Sequence, residues 1–97
     1  MKICVGGSKG KMGSRIVDLV KEDPSLELVG SFDAGDDAEP LVAACDCLIE
    51  FTLPEATMDH LALCEKLGKA IVIGTTGLSA AEQERIRSAA MKIPVVF

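Results

Sequence analysis

The sequence predicts an α/β domain: a doubly wound parallel sheet of about five strands in the order 2-1-3-4-5. Three observations predict it. Apolar runs of strand length recur at Ile3–Val5, Leu26–Phe32, Asp46–Phe51, Ala70–Gly74 and Ile93–Phe97. Helix-forming segments separate most of them, and strands alternating with helices imply a parallel sheet covered on both faces. The third run, Asp46-Cys-Leu-Ile-Glu-Phe51, is almost continuously apolar, as expected of a strand buried on both faces. Right-handed crossovers then restrict the strand order.

The first run leads into Gly7-x-x-Gly10-x-x-Gly13. A helix over Lys11 to Glu22 follows, with Ile16, Leu19 and Val20 as its buried stripe. Asp23-Pro24 stops it. The second strand alternates Leu26, Leu28, Gly30 and Phe32 against Glu27, Val29 and Ser31. Gly35-Asp-Asp37 is a turn, and Glu39–Ala44 is long enough for one or two helical turns. After the third strand, Thr52, Pro54 and Glu55 carry the pattern of a capped helix start. Met58, Leu61, Ala62 and Cys64 to Leu67 form that helix's inward face, and Gly68 ends it. Ser79-Ala-Ala-Glu82 is a second capping box, opening a helix to about Met91 with Ile86 and Ala90 inward.

Ninety-seven residues bound one domain. The net charge of −5 excludes the basic face that nucleic acid requires. No apolar run approaches the length that spans a bilayer, and the N-terminus lacks the pattern of an export signal. Cys4, Cys45, Cys47 and Cys64 form no C-x-x-C pair, and Cys45-Asp-Cys47 is too tight for a zinc ribbon. Cys4 and Cys64 read as small buried hydrophobes. Reduced thiols and a cytoplasmic location are expected.

Strand, glycine turn and helix together suit a pyrophosphate. Glycines admit close backbone approach, and a helix N-terminus supplies free N–H donors and a favourable dipole. The spacing departs from G-x-G-x-x-G, so the motif is weak by itself and also fits a plain tight turn. Asp33, 20 positions after Gly13 at the tip of the second strand, strengthens the nucleotide reading. A carboxylate there accepts hydrogen bonds from an adenosine ribose; an ordinary turn aspartate is the alternative. Lys9 and Lys11 add positive charge to the loop, or are surface lysines. The strand ends also gather Glu50-Phe51-Thr52 and Gly74-Thr75-Thr76-Gly77 at one edge. Phe51 there is either a flat apolar face of the cleft or a core phenylalanine.

Four segments carry a resemblance. Gly7-Ser-Lys-Gly-Lys-Met-Gly13, Phe51-Thr-Leu-Pro54, Gly74-Thr-Thr-Gly77 and Ile93-Pro-Val-Val-Phe97 resemble, in order and spacing, the N-terminal half of the 4-hydroxy-tetrahydrodipicolinate reductases. These are the dihydrodipicolinate reductases of lysine and diaminopimelate biosynthesis. The resemblance implies a Rossmann-like dinucleotide-binding domain over residues 1–97. It implies that Gly7, Ser8, Lys9, Gly10, Lys11 and Met12 hold the pyrophosphate and Asp33 the adenosine ribose. Phe51 with Thr52, and Gly74 with Thr75 and Thr76, then face the nicotinamide ribose and carboxamide.

The reaction it implies is hydride transfer from NADH or NADPH to a cyclic dicarboxylate. Family members are typically homotetramers assembled through a second domain, which also carries the catalytic groups. No catalytic residue is therefore expected within these 97, and the one histidine, His60, is expected to be structural and at or near the surface. Many members have Arg where this chain has Lys11, and some have an Arg where it has Ala34. A carboxylate at Asp33 without that Arg repels a 2′-phosphate, so NADH is the expected preference and NADPH a possible second cofactor. Glu50 stands where the family usually has Asp, as a tolerated change. A stand-alone dinucleotide-binding or redox-sensing module is the alternative function. A phospho-receiver on the same topology would need acidic residues after the first strand, where this chain has Gly6-Gly7.

Overall fold

Five parallel strands and four helices alternate along the chain in the computed structural model, which describes all 97 residues. They are β1 (Lys2–Gly6), α1 (Lys11–Glu22), β2 (Glu27–Phe32), α2 (Glu39–Ala44), β3 (Cys47–Glu50), α3 (Pro54–Leu67), β4 (Ala70–Ile73), α4 (Ala80–Ala89) and β5 (Val95–Val96). The sheet order is β2-β1-β3-β4-β5, every pair parallel, as the sequence predicts. Because every pair is parallel, all strand C-termini open at one edge, and the reversal of crossover direction between β1 and β3 leaves a crevice between those two.

Alternation along each strand sorts the apolar residues into two clusters. Cys4, Leu48, Ile71 and Ile73 face one side with Leu61, Cys64, Ile86 and Ala89 from α3 and α4. Ile3, Val5 and Cys47 face the other with Val20 of α1. Leu48 and Leu61 are fully buried, and each such side chain contributes about 1.5–3 kcal/mol by leaving water. The α1 side is the thinner layer: Ile49, Ala70 and Val72 there are only half-buried.

Several local expectations are corrected. The β1–β2 register shifts between Ile3 and Cys4, pairing Ile3 with Leu28 and Cys4 with Gly30. This irregularity passes over Val29, so Leu28 joins the α1 cluster whereas Phe32 joins the opposite one. Strict alternation would have put them on one face. On α1 the inward stripe is Ile16, Val17 and Val20, and Leu19 is exposed. Ala62 on α3 and Ala90 after α4 are likewise exposed, their places being taken by Cys64 and Ala89. The N-cap of α3 is Leu53, with no side-chain cap. Thr52 does not cap it because its hydroxyl is directed to Glu50. The capping box of Ser79 and Glu82 forms as read from the sequence, and Gly68 closes α3 at φ 67°.

All four cysteines are buried. The Cys4 thiol lies 3.1 Å from that of Cys45. The hydrogen bond to Cys45 and burial raise the pKa of the Cys4 thiol, and the same bond lowers that of Cys45. Burial pushes Cys64 up to about 12 and also raises Cys47.

Candidate functional site

The site begins where β1 runs out. Gly7 turns the chain at φ 91°, a region an L side chain rarely enters. Its N–H donates to the Phe32 carbonyl at 2.8 Å, tying the loop to the end of β2. A Cβ on Gly7 would overlap the Phe51 carbonyl, and one on Gly13 would overlap the Gly7 carbonyl. Both glycines are therefore required by close backbone approach. Gly10, by contrast, has ordinary dihedrals and room for a side chain. It is the N-cap of α1, with no side-chain cap and no acidic residue in the first turn. The opening N–H groups of that helix are thus left without a side-chain acceptor, and the positive end of its dipole is unopposed.

Asp33 closes the other side. Its carboxylate accepts from the Ser8 hydroxyl at 2.9 Å and from the Lys9 N–H at 3.0 Å. Asp36 in turn accepts from the Asp33 N–H at 2.9 Å. Both oxygens are held in place, and each retains a lone pair for a further donor.

Two adjoining grooves run along the sheet edge. One, of about 350 Å³, lies between the loop and Asp33 and is bordered by Gly7, Lys9, Gly10, Ala34, Phe51, Thr52 and Leu53. The other, of about 290 Å³, lies between Lys11–Gly13 and Gly74–Thr76, again with Gly10, Phe51 and Thr52. Every site residue named from the sequence borders one groove or the other except Ser8, which stands behind Asp33 and orients it. Phe51 is half-buried rather than in the core. Its ring lies over Gly74, where a Cβ would strike it. Gly74 is thus needed to let the ring lie flat between the two grooves. Lys9 and Lys11 are exposed. A wider depression of about 660 Å³ adjoins Ala34 and Leu53, but Glu55, Asp59 and Glu82 line it, and three carboxylates disfavour a phosphate.

Behind the grooves lies a buried polar cluster that the sequence did not reveal. His60 is buried, not at the surface, at 7% exposure. Its Nδ1 pairs with Glu50 Oε2, and its ring meets that of Phe32 edge-on at 4.9 Å. Glu50 itself is fully buried and also accepts from the Thr52 hydroxyl at 3.0 Å. The available signal was a glutamate ending an otherwise apolar strand, with the one histidine ten residues on. A buried carboxylate demands a partner, and His60 is within one helix of it.

The family model described as dihydrodipicolinate reductase, N-terminus, matches residues 1–97. The chain belongs to that family. It is 40% identical to the 4-hydroxy-tetrahydrodipicolinate reductase of Aromatoleum aromaticum, a match covering 100% of this chain and 43% of that protein. It is 38% identical to the namesake of Cupriavidus metallidurans, again over 100% of this chain and 45% of the relative. The chain thus spans less than half the length of these curated relatives. Among solved structures, the dipicolinate-bound dihydrodipicolinate reductase of Paenisporosarcina sp. TG-14 superposes with TM-score 0.76 at 23% identity. That match covers 95% of this chain and 44% of the other. The capsular polysaccharide assembling protein CapF of Staphylococcus aureus superposes with TM-score 0.70 at 18% identity, over 98% of this chain and 29% of that one. The latter pair shares the fold alone, and fold alone carries no function. In this chain the β1 loop and the turn after β4 border one groove at the same sheet edge.

Proposed function

We propose that this chain is the dinucleotide-binding domain of a 4-hydroxy-tetrahydrodipicolinate reductase acting in lysine and diaminopimelate biosynthesis. The observation that carries the proposal is the uncapped N-terminus of α1, set on glycines and facing Asp33 across a groove. That arrangement fits a dinucleotide: free backbone N–H groups for a pyrophosphate, and a fixed carboxylate for a ribose diol. Gly7, Gly10, Lys11 and Met12 would hold the pyrophosphate, with Lys9 adding charge. Ser8 and the Lys9 N–H keep Asp33 aimed at the adenosine ribose. Phe51 offers a flat face for the nicotinamide-riboside half, flanked by Thr52, Gly74, Thr75 and Thr76.

When bound, the reduced nicotinamide supplies the hydride for a cyclic dicarboxylate. The chain's own part is to bind, orient and exclude water. We assign no residue of these 97 to proton transfer. NADH is the preferred form. Asp33 is followed by Ala34, so a 2′-phosphate would meet a carboxylate with no guanidinium to offset it. NADPH binds more weakly, assisted by Lys9 or Lys11.

Calorimetric titration of NADH and NADPH into the chain tests this. NADH is expected to bind about tenfold more tightly than NADPH, a difference of about 1.4 kcal/mol. Asp33→Ala should weaken NADH, and Ala34→Arg should move the preference towards NADPH. Binding of neither form to the folded chain would refute the domain's assignment, and tighter NADPH binding would refute the role given to Ala34.

A further inference from the structure

Three threonines connect the buried Glu50 to the grooves. Thr52 Oγ1 lies 3.0 Å from Glu50 Oε2 and 3.3 Å from Thr57 Oγ1, and Thr57 Oγ1 lies 2.7 Å from Thr75 Oγ1. Thr52 belongs to the segment after β3, Thr57 to α3 and Thr75 to the turn after β4. Thr57 is fully buried, while Thr52 and Thr75 border the grooves.

The direction of this chain follows from donor arithmetic. A carboxylate only accepts, and each hydroxyl has one hydrogen. Thr52 therefore donates to Glu50; its other neighbour, the Leu53 carbonyl at 3.5 Å, is farther and uncharged. With that hydrogen used, Thr57 must donate to Thr52. Thr75 must then donate to Thr57. Only this arrangement places a hydrogen on every bond. It leaves Thr52 and Thr75 with lone pairs alone for a ligand. His60 completes the anchor by pairing with the same Glu50 oxygen.

We propose that Glu50 is a positioning residue that, through Thr52, Thr57 and Thr75, fixes the cleft threonines as hydrogen-bond acceptors for the donor groups of the nicotinamide-riboside half. This rests on the dinucleotide reading above. The donors available on that half are the ribose hydroxyls and the carboxamide N–H groups. A relay anchored on a fixed acceptor cannot turn its hydroxyls round, so the cleft matches those donors before they arrive.

The test compares NADH with ADP, which keeps the adenosine and pyrophosphate but lacks the nicotinamide-riboside half. Thr57→Val cuts the relay without touching either groove, and Thr57→Ser restores a hydroxyl. Glu50→Gln replaces an obligate acceptor by an amide that also donates, whereas Glu50→Asp keeps the carboxylate. Wild type should bind NADH more tightly than ADP. Thr57→Val and Glu50→Gln should cut that ratio about fivefold, in the range of one neutral hydrogen bond, with ADP affinity unchanged. Thr57→Ser and Glu50→Asp should keep the ratio.

An unchanged ratio in folded Thr57→Val would overturn the proposal. So would equal weakening of both ligands, which is the mark of a merely structural role. If Glu50→Gln does not fold, Thr57→Val decides alone. Failure of wild type to bind either ADP or NADH would instead remove the dinucleotide reading, and the relay's role with it.

Discussion

Helices α1 and α4 both leave the same edge of the sheet, yet their first turns are finished differently. At α4 the Ser79 hydroxyl accepts from the Glu82 N–H at 3.1 Å, and the Glu82 carboxylate accepts from the Ser79 N–H at 2.8 Å. The orphan donors are satisfied and an acidic residue meets the dipole. At α1 the cap is Gly10, with neither a capping side chain nor an acidic residue. A glycine in place of a capping side chain costs a helix a few tenths of a kcal/mol. That a small domain leaves this one open, and closes the other, fits the proposal that the α1 donors serve a ligand. On that proposal the two termini separate a site from a stabilising device within one fold.

The largest expected effect comes from forcing a side chain into the open terminus. Gly13→Ala puts a methyl group against the Gly7 carbonyl and Ser8 Cα. Helix propensity favours Ala by up to about 1 kcal/mol, but overpacking at this contact should outweigh it. A net loss of about 3 kcal/mol is expected in urea unfolding, with loss of NADH binding. The opposite exchange in the first turn of α4, Ala80→Gly, should cost no more than about 1 kcal/mol and leave binding intact. Equal costs at the two sites would remove the steric part of the contrast.

A smaller effect, in two opposed directions, should follow from giving α1 the cap it lacks. Gly10 has room for a side chain, its Cβ position being 3.6 Å from the nearest contact, and its extended dihedrals suit any N-cap. Gly10→Asp should raise stability by a few tenths of a kcal/mol. It should also weaken NADH about tenfold, because its carboxylate competes for the N–H groups and repels the pyrophosphate. Gly10→Asn supplies the cap without the charge and should weaken NADH less. Stabilisation with unchanged affinity would mean that these N–H groups do not face the cofactor.

The fold was legible because its signals are local and repeated. Capping at Ser79, the left-handed Gly68 and the run of strands each needed only neighbouring residues. The gathering of the candidate site residues at one edge was legible for the same reason: they follow the ends of strands, and parallel topology brings those ends together. What escaped was set by tertiary contact. Leu28 and Phe32 went to opposite faces because the β1–β2 register shifts, which no alternation pattern foretells. Thr52 looked like a cap and proved to be a donor to Glu50, ten residues before the histidine that shares that carboxylate. Glu50, which the resemblance implied to be a tolerated change, ends β3 fully buried behind the candidate grooves.

The closed terminus supplies the smallest expected effect and the control for the others. Ser79→Ala should cost about 1 kcal/mol and change NADH affinity by less than twofold. That cost should stay constant as pH rises, even while the absolute stability of both proteins falls. The fall originates in the buried thiols. Unfolded, they ionise near 9; folded, burial holds Cys64 up to about 12 and raises Cys47 as well. A group whose folded value is raised contributes stability in full below the unfolded value, and loses it as pH climbs through the folded one. Urea midpoints should therefore decline together from about pH 9 upward, with a constant gap between wild type and Ser79→Ala. A gap that closes over that range would mean that the α4 cap is coupled to the thiol core rather than independent of it.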